Sequence, residues 1–335
     1  MKVLYAIQGT GNGHLSRARD VIPILQKHAI ELDILVSGTQ ADIQIPHPIK
    51  YQLKGWSFIF GKKGGVDVWK TYLRTNSVRL QREIKSIPIA DYDLIINDFE
   101  PVSAWACKLK HKPCISFSHQ AAVLSEKAPK PKKNDPLGRL ILRKYAPSTK
   151  QFGLHFKEYG ENIYTPIIRK EIRLTTRTKG EHYTVYLPSY SDDKIFKILS
   201  RIKSVQWEVF SKHTDTSFFW KNIAIRKINN EAFIKSMANS RGILCGAGFE
   251  SPAEALHMGK KLMVIPMKGQ YEQQCNAVAL KEMGVPIIKS LKMKHLNTLK
   301  NWVEDDSRIE VFYPDITEKI IDRLLQEIPI GSTHY

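Results

Sequence analysis

The chain has 335 residues, with 51 lysines and arginines against 33 aspartates and glutamates and a formal net charge of +18. That length exceeds what one core usually holds and predicts two domains of ordinary size, and no apolar run is long enough to cross a membrane as a helix. Cys107, Cys114, Cys245 and Cys275 show no C-x-x-C spacing, which argues against a disulfide framework or a cysteine zinc site and predicts reduced thiols in the core.

From the start of the chain, apolar strands alternate with helical patterns. Strands are expected near 2–8, 30–36, 48–53, 56–60, 94–97 and 113–117, and again near 183–187, 206–210, 223–226, 242–245, 261–266 and 286–288. The alternation predicts an α/β protein with parallel sheets covered on both faces. The first strand runs into Gly9-Thr10-Gly11-Asn12-Gly13-His14, after which Leu15, Ala18, Ile22 and Leu25 recur at helical spacing. Its glycines fall at G-x-G-x-G, and the second strand ends at Ser37 rather than an acid, so a dinucleotide fingerprint fits poorly. Imidazole titrates near pH 6.5, so His14 at the tip of this turn is a candidate general base. Asp98, at the end of its own apolar strand, could orient His14, act as the base itself, or only cap the helix that Pro101 opens. Trp56, Phe58, Phe60, Trp69 and Tyr72 could form an apolar or sugar-stacking wall, and could equally belong to the core.

Residues 127–150 carry Lys127, Lys130, Lys132, Lys133, Arg139, Arg143, Lys144 and Lys150 against the single acid Asp135, around Leu137, Leu140, Ile141, Leu142 and Tyr145. Such a basic amphipathic segment suits an anionic membrane surface, and equally a solvated loop. A hinge is expected over 162–177, dividing an N-terminal domain at 1–165 from a C-terminal one at 173–314. The last helical stripe, within 315–330, is a candidate to pack back on the first domain.

The second glycine turn is the richer one. The strand Gly242-Ile243-Leu244-Cys245 stops at Gly246-Ala247-Gly248-Phe249-Glu250, and Ser251-Pro252-Ala253-Glu254 begins a helix. Free amides at a helix start and small residues beside them suit a phosphate, and Glu254 one turn in suits a pair of ribose hydroxyls. Tight strand–helix packing is the plainer explanation of the glycines.

These residues, with Pro266, Glu272-Gln273 and Asn276-Ala277 in the same order, resemble the donor signature of GT-B glycosyltransferases, the UDP-glycosyltransferases and MurG-like enzymes. The first turn resembles the Gly-x-Gly-His turn that opens their acceptor domain. The resemblance implies two Rossmann-like doubly wound parallel-sheet domains facing a cleft. It implies donor contacts from Gly246, Ala247, Gly248, Phe249, Glu250, Ser251, Glu254, Glu272 and Gln273, with the base against 226–230, including Ile228. Gly11, Asn12 and Gly13 would form the acceptor loop, with His14 and Asp98 catalytic. The chain departs from plant-type members at Gly246, where they have His, and at Glu250, where they have Asn.

The implied activity is inverting, metal-independent transfer of a sugar from a UDP-sugar to a hydroxyl acceptor, lipid-linked if the basic segment meets a membrane. No cofactor is expected beyond that donor, and no DxD-type metal pair stands near either turn. A UDP-sugar epimerase of the same fold, or a non-catalytic basic protein bound to membrane or nucleic acid, is the alternative. No helix-turn-helix, zinc-ligand or RNP pattern supports nucleic acid as a partner. Charges soon after the first strand exclude a signal-peptide core, so the expected location is cytoplasmic, peripheral to the inner face of the membrane.

Overall fold

The computed structural model describes residues 1–28, 31–38, 45–56, 77–132 and 135–327. Phe58, Phe60, Trp69, Tyr72 and Lys133, and the expected strand 56–60 beyond Trp56, lie outside them.

Two sheets organise the chain, joined laterally by parallel pairing except at one edge. Seven strands, β1 (Lys2–Gln8), β2 (Glu31–Ser37), β3 (Tyr51–Leu53), β4 (Leu94–Asp98), β5 (Ile115–Ser118), β6 (Lys150–Leu154) and β7 (Ile163–Tyr164), form the first sheet in the order β3-β2-β1-β4-β5-β6-β7. Six more, β8 (His182–Tyr186), β9 (Gln206–Ser211), β10 (Phe218–Trp220), β11 (Ile223–Lys227), β12 (Gly242–Gly246) and β13 (Lys261–Ile265), form the second in the order β10-β11-β9-β8-β12-β13. Among the described residues only β10 runs antiparallel to its neighbour. The parallel pairing is what the alternation predicts, and the two Rossmann-like doubly wound sheets are what the resemblance implies.

β1 shows why such strands form. Val3 to Ile7 have no exposed surface, because helices cover both faces of a parallel sheet and the strand is an unbroken apolar run. Fully burying a Val, Leu or Ile side chain contributes about 1.5–3 kcal/mol. In the expected list β6, β7 and β10 are missing, and 286–288 makes only an isolated bridge, Ile287 to Val264. There Pro286 has no N–H to give a ladder.

Each sheet has a point where strand order reverses, and ligands of open α/β sheets bind beyond the strand ends at that point. In the first sheet it lies between β1 and β4, whose ends lead into His14 and Asp98. In the second it lies between β8 and β12, whose ends lead into residues 188–190 and the Gly246–Phe249 turn. The helix Thr317–Leu325 buries Ile320, Ile321 and Leu324 and lies against the helix Asn12–Lys27 of the first sheet's layer. All four cysteines are free and buried. Among the described residues no helix is long and apolar enough to cross a membrane.

Candidate functional site

The first turn approaches the second sheet's turn closely. Gly11 has φ of 92°, a left-handed conformation that favours glycine, and starts the helix Asn12–Lys27. A Cβ at Gly13 would stand 3.0 Å from Cγ of Glu250, so glycine here lets the two turns meet.

His14 projects from the first turn of that helix, and its Nδ1 lies 2.7 Å from Oδ1 of Asp98. An ionised carboxylate only accepts, so Nδ1 donates to it, and in the neutral ring the lone pair lies on Nε2. Nε2 faces the Gln120 amide, whose Nε2 is 3.5 Å away. Asp98 has no exposed surface, and its backbone is followed by Phe99 at φ 56°, a non-glycine residue held left-handed at the strand end. Such a conformation costs about 1–3 kcal/mol and collects at functional sites. The Phe99 and His14 rings stack, with centroids 6.4 Å apart.

Asp98 is not the helix cap. Glu100 takes that part, accepting from the N–H groups of Val102 at 2.7 Å and Ser103 at 2.6 Å and from the Ser37 hydroxyl at 2.6 Å. The Asp98 carboxylate is thereby left to side chains.

Arg17, absent from the sequence-based list, binds it. One turn after His14 and 2% exposed, its Nη2 donates to both Asp98 oxygens at 2.7 Å each, and its Nη1 donates to Oε1 of Glu250. One guanidinium therefore serves two carboxylates from different sheets. Burial alone would raise Asp98, but Arg17 and His14 outweigh it and hold the group below the usual carboxylate range. At Glu250 burial wins, helped by the nearby Glu254 charge, and the group is pushed up to about 7 in spite of Arg17. Arg17 was detectable only as a residue three places after His14, and hence on the same helix face.

A cavity of about 1130 Å³ lies between the sheets. Of the expected residues it is lined by Gly11, Gly13, His14, Ile228, Phe249, Glu250, Glu272 and Gln273. Asn12, Asp98, Gly246, Ala247, Gly248, Ser251 and Glu254 are not among its lining residues. Glu272 accepts from Gln120 at 3.0 Å, across the cleft, while Gln273 accepts from the N–H of Met267 at 2.9 Å.

Glu254 sits away from the lining. It is 2% exposed, and Arg169 donates to its two oxygens at 2.5 and 2.9 Å, also reaching Glu171 and Asn230. In this arrangement its carboxylate anchors the connection between the sheets. The second turn is braced by a separate strut: the His119 ring stacks on Phe249 at 3.9 Å, its Nε2 lies 2.7 Å from Oδ1 of Asn276, and Asn276 donates to the Ala247 carbonyl at 3.1 Å.

The glycines of that turn are not packing glycines. A Cβ at Gly248 would meet nothing within 4 Å, and at Gly246 the nearest atom would be Gln273 Oε1 at 3.7 Å. Strand–helix crowding therefore does not explain them.

Residues 1–305 match a family described as Glycosyl transferase family 1. The chain belongs to that family. It is a glycosyltransferase of the GT-B fold, and its chemistry is sugar transfer. A comparison with curated proteins finds no match. Among solved structures, that of UGT89C1 from Arabidopsis thaliana complexed with UDP is similar at a TM-score of 0.61 and 14% identity, covering 98% of this chain and 95% of that one. MurG of Acinetobacter baumannii gives 0.56 and 14%, over 98% and 96% of the two chains. The glycosyltransferase SnogD from Streptomyces nogalater gives 0.51 and 12%, over 98% and 96%. At these identities the likeness concerns the fold.

Proposed function

We propose that this glycosyltransferase moves a sugar from a UDP-sugar to an acceptor hydroxyl with inversion at the anomeric carbon. The observation that carries the proposal is the His14–Asp98 pair, set at the reversal point of one sheet and facing the glycine turn at the reversal point of the other.

His14 Nε2 takes the proton from the acceptor hydroxyl as that oxygen attacks the anomeric carbon. The bond from that carbon to the diphosphate oxygen breaks, and its electron pair leaves with UDP. Asp98 accepts from Nδ1–H throughout, so it fixes the ring and stabilises the imidazolium formed. A positioned base contributes about 10²–10⁴ in rate. The Gly246–Ser251 turn and the start of the helix Glu250–His257 present amides to the diphosphate, with open space at Gly248 for its approach. Glu272 and Gln273 meet the donor sugar and 226–230 the base.

The acceptor in this reading is lipid-linked. Leu137 and Leu140, on the helix Pro136–Tyr145, are 58% and 51% exposed among exposed Lys127, Lys132, Arg143 and Lys144, while Gly138, Ile141 and Leu142 of the same helix line the cleft. Leucines set among cations suit an anionic membrane beside the acceptor side of the site. The protein then works at the inner membrane face.

Incubation of the purified protein with UDP-sugars and lipid extract tests this. UDP release and label transfer that need both substrates support it. Conversion of the donor sugar without any acceptor would instead mark an epimerase.

A further inference from the structure

Glu250 is the first residue of the helix that receives the diphosphate in the proposed function, and it is an acid in the one place where added negative charge is most costly. The groups around it come from every neighbouring element. Arg17 and His14 face it from the helix Asn12–Lys27, Tyr5 from β1, Asp98 from the end of β4, Arg169 from the connection and Glu254 from its own helix. Arg17 is its direct partner, and that guanidinium already gives Nη2 to both oxygens of Asp98.

Two carboxylates thus share one cation before any ligand arrives. A diphosphate diester brings two further negative charges to the same space, and like charges so close cannot all persist in a buried site. Protonation of one carboxylate relieves that repulsion. Asp98 is the poorer candidate, since Arg17 and His14 both bind it and it has no exposed surface. Glu250 has the single Arg17 contact, lines the cleft, and its side chain is 19% exposed.

We propose that Glu250 takes up a proton when the nucleotide sugar binds and gives that proton to the leaving diphosphate, acting as the catalytic acid opposite His14. This rests on the donor reading above. The balance closes: the acceptor oxygen bonds to the anomeric carbon, and the bond from that carbon to the phosphate oxygen breaks with its electron pair. The acceptor proton goes to His14 Nε2 and the Glu250 proton to the departing phosphate oxygen. Glu250 is left ionised beside Arg17 and His14 protonated beside Asp98, and exchange with water resets both. A neutral acid at the leaving oxygen does what helix amides alone do less well, since it cancels the developing charge with a proton.

The test is calorimetry of the full chain with UDP-glucose and UDP-N-acetylglucosamine, whose diphosphates do not titrate near neutrality, in two buffers of different ionisation enthalpy at about pH 8. The expected result is uptake of about half a proton or more per donor bound, with affinity weakening towards tenfold per pH unit above that point. Glu250→Gln, a neutral isostere, should bind without proton uptake and with pH-independent affinity, stronger than wild type at high pH. Its turnover of whichever donor binds should fall about a hundredfold or more. Donor binding with no proton uptake, or uptake unchanged in Glu250→Gln, overturns the proposal. If neither donor nor UDP binds, the donor reading fails with it; UDP binding with intact affinity and no proton linkage sinks the Glu250 role alone.

Discussion

Arg17 and Glu250 pair across the cleft, 233 residues apart in sequence, and the same guanidinium holds Asp98 against His14. His14, beside the first sheet, and the Gly246–Phe249 turn of the second are therefore tied through a single buried cation. Breaking a buried pair by removing one partner typically costs about 3–5 kcal/mol, because a charge is left uncompensated.

Arg17→Met should destabilise the protein by about that amount near neutral pH, and by less in acid. In the wild type, Asp98 titrates below its unfolded value, so its contribution is present above about pH 4 and is lost as pH falls through the lower folded value. Without Arg17 both Asp98 and Glu250 rise, the native state binds more protons than the unfolded chain, and stability falls as pH increases. Urea unfolding at about pH 5 and pH 8 reads the sign; equal losses at both would contradict the shared-cation picture.

His14→Ala should lower turnover by about a hundredfold or more while leaving UDP affinity within about twofold. Asp98→Asn should also lower turnover, since an amide can donate to Nδ1 and favour the wrong tautomer. Activity surviving in His14→Ala would move the base to Asp98.

The strand–turn–helix units at Gly9–Gly13 and Gly246–Gly248 were legible because apolar runs stop at glycines, whereas the strand order that sets the reversal points was not. Arg17 was not, because an arginine on an amphipathic helix normally lies in solvent, and its partners come from β4 and from the other sheet. β6 was obscured by its polar opening, Lys150-Gln151, at the edge of the basic segment. β10 was obscured by its exposed edge position, where Phe219 is 76% exposed. The setting of Glu254 depends on Arg169, 85 residues earlier, and no local pattern announces that pair.

Glu254→Ala should destabilise by about 3–5 kcal/mol, since Arg169 would be left buried without its main partner. Glu254→Gln separates the roles: it keeps the shape, and in the ribose reading it weakens UDP binding. Unchanged UDP affinity in a folded Glu254→Gln would restrict Glu254 to the connection between the sheets.

Replacing Leu137 and Leu140 together by serine should leave stability within about 0.5 kcal/mol, as both are exposed, and should reduce co-sedimentation with vesicles of anionic phospholipid. Undiminished sedimentation, or none by the wild type at low salt, would separate the basic helix from membrane binding.

The most direct measurement is calorimetric titration of UDP into the wild type and Gly248→Val, with melting followed in parallel. A Cβ added at Gly248 meets nothing within 4 Å in the protein, so the fold should be kept, while the added side chain fills space beside the Gly246–Phe249 turn. UDP binding by the wild type and a loss of tenfold or more in Gly248→Val, at about equal Tm, is the expected result. Equal UDP affinity in the two proteins, or NAD bound in place of UDP, would contradict the assignment of this turn to the diphosphate of a nucleotide sugar.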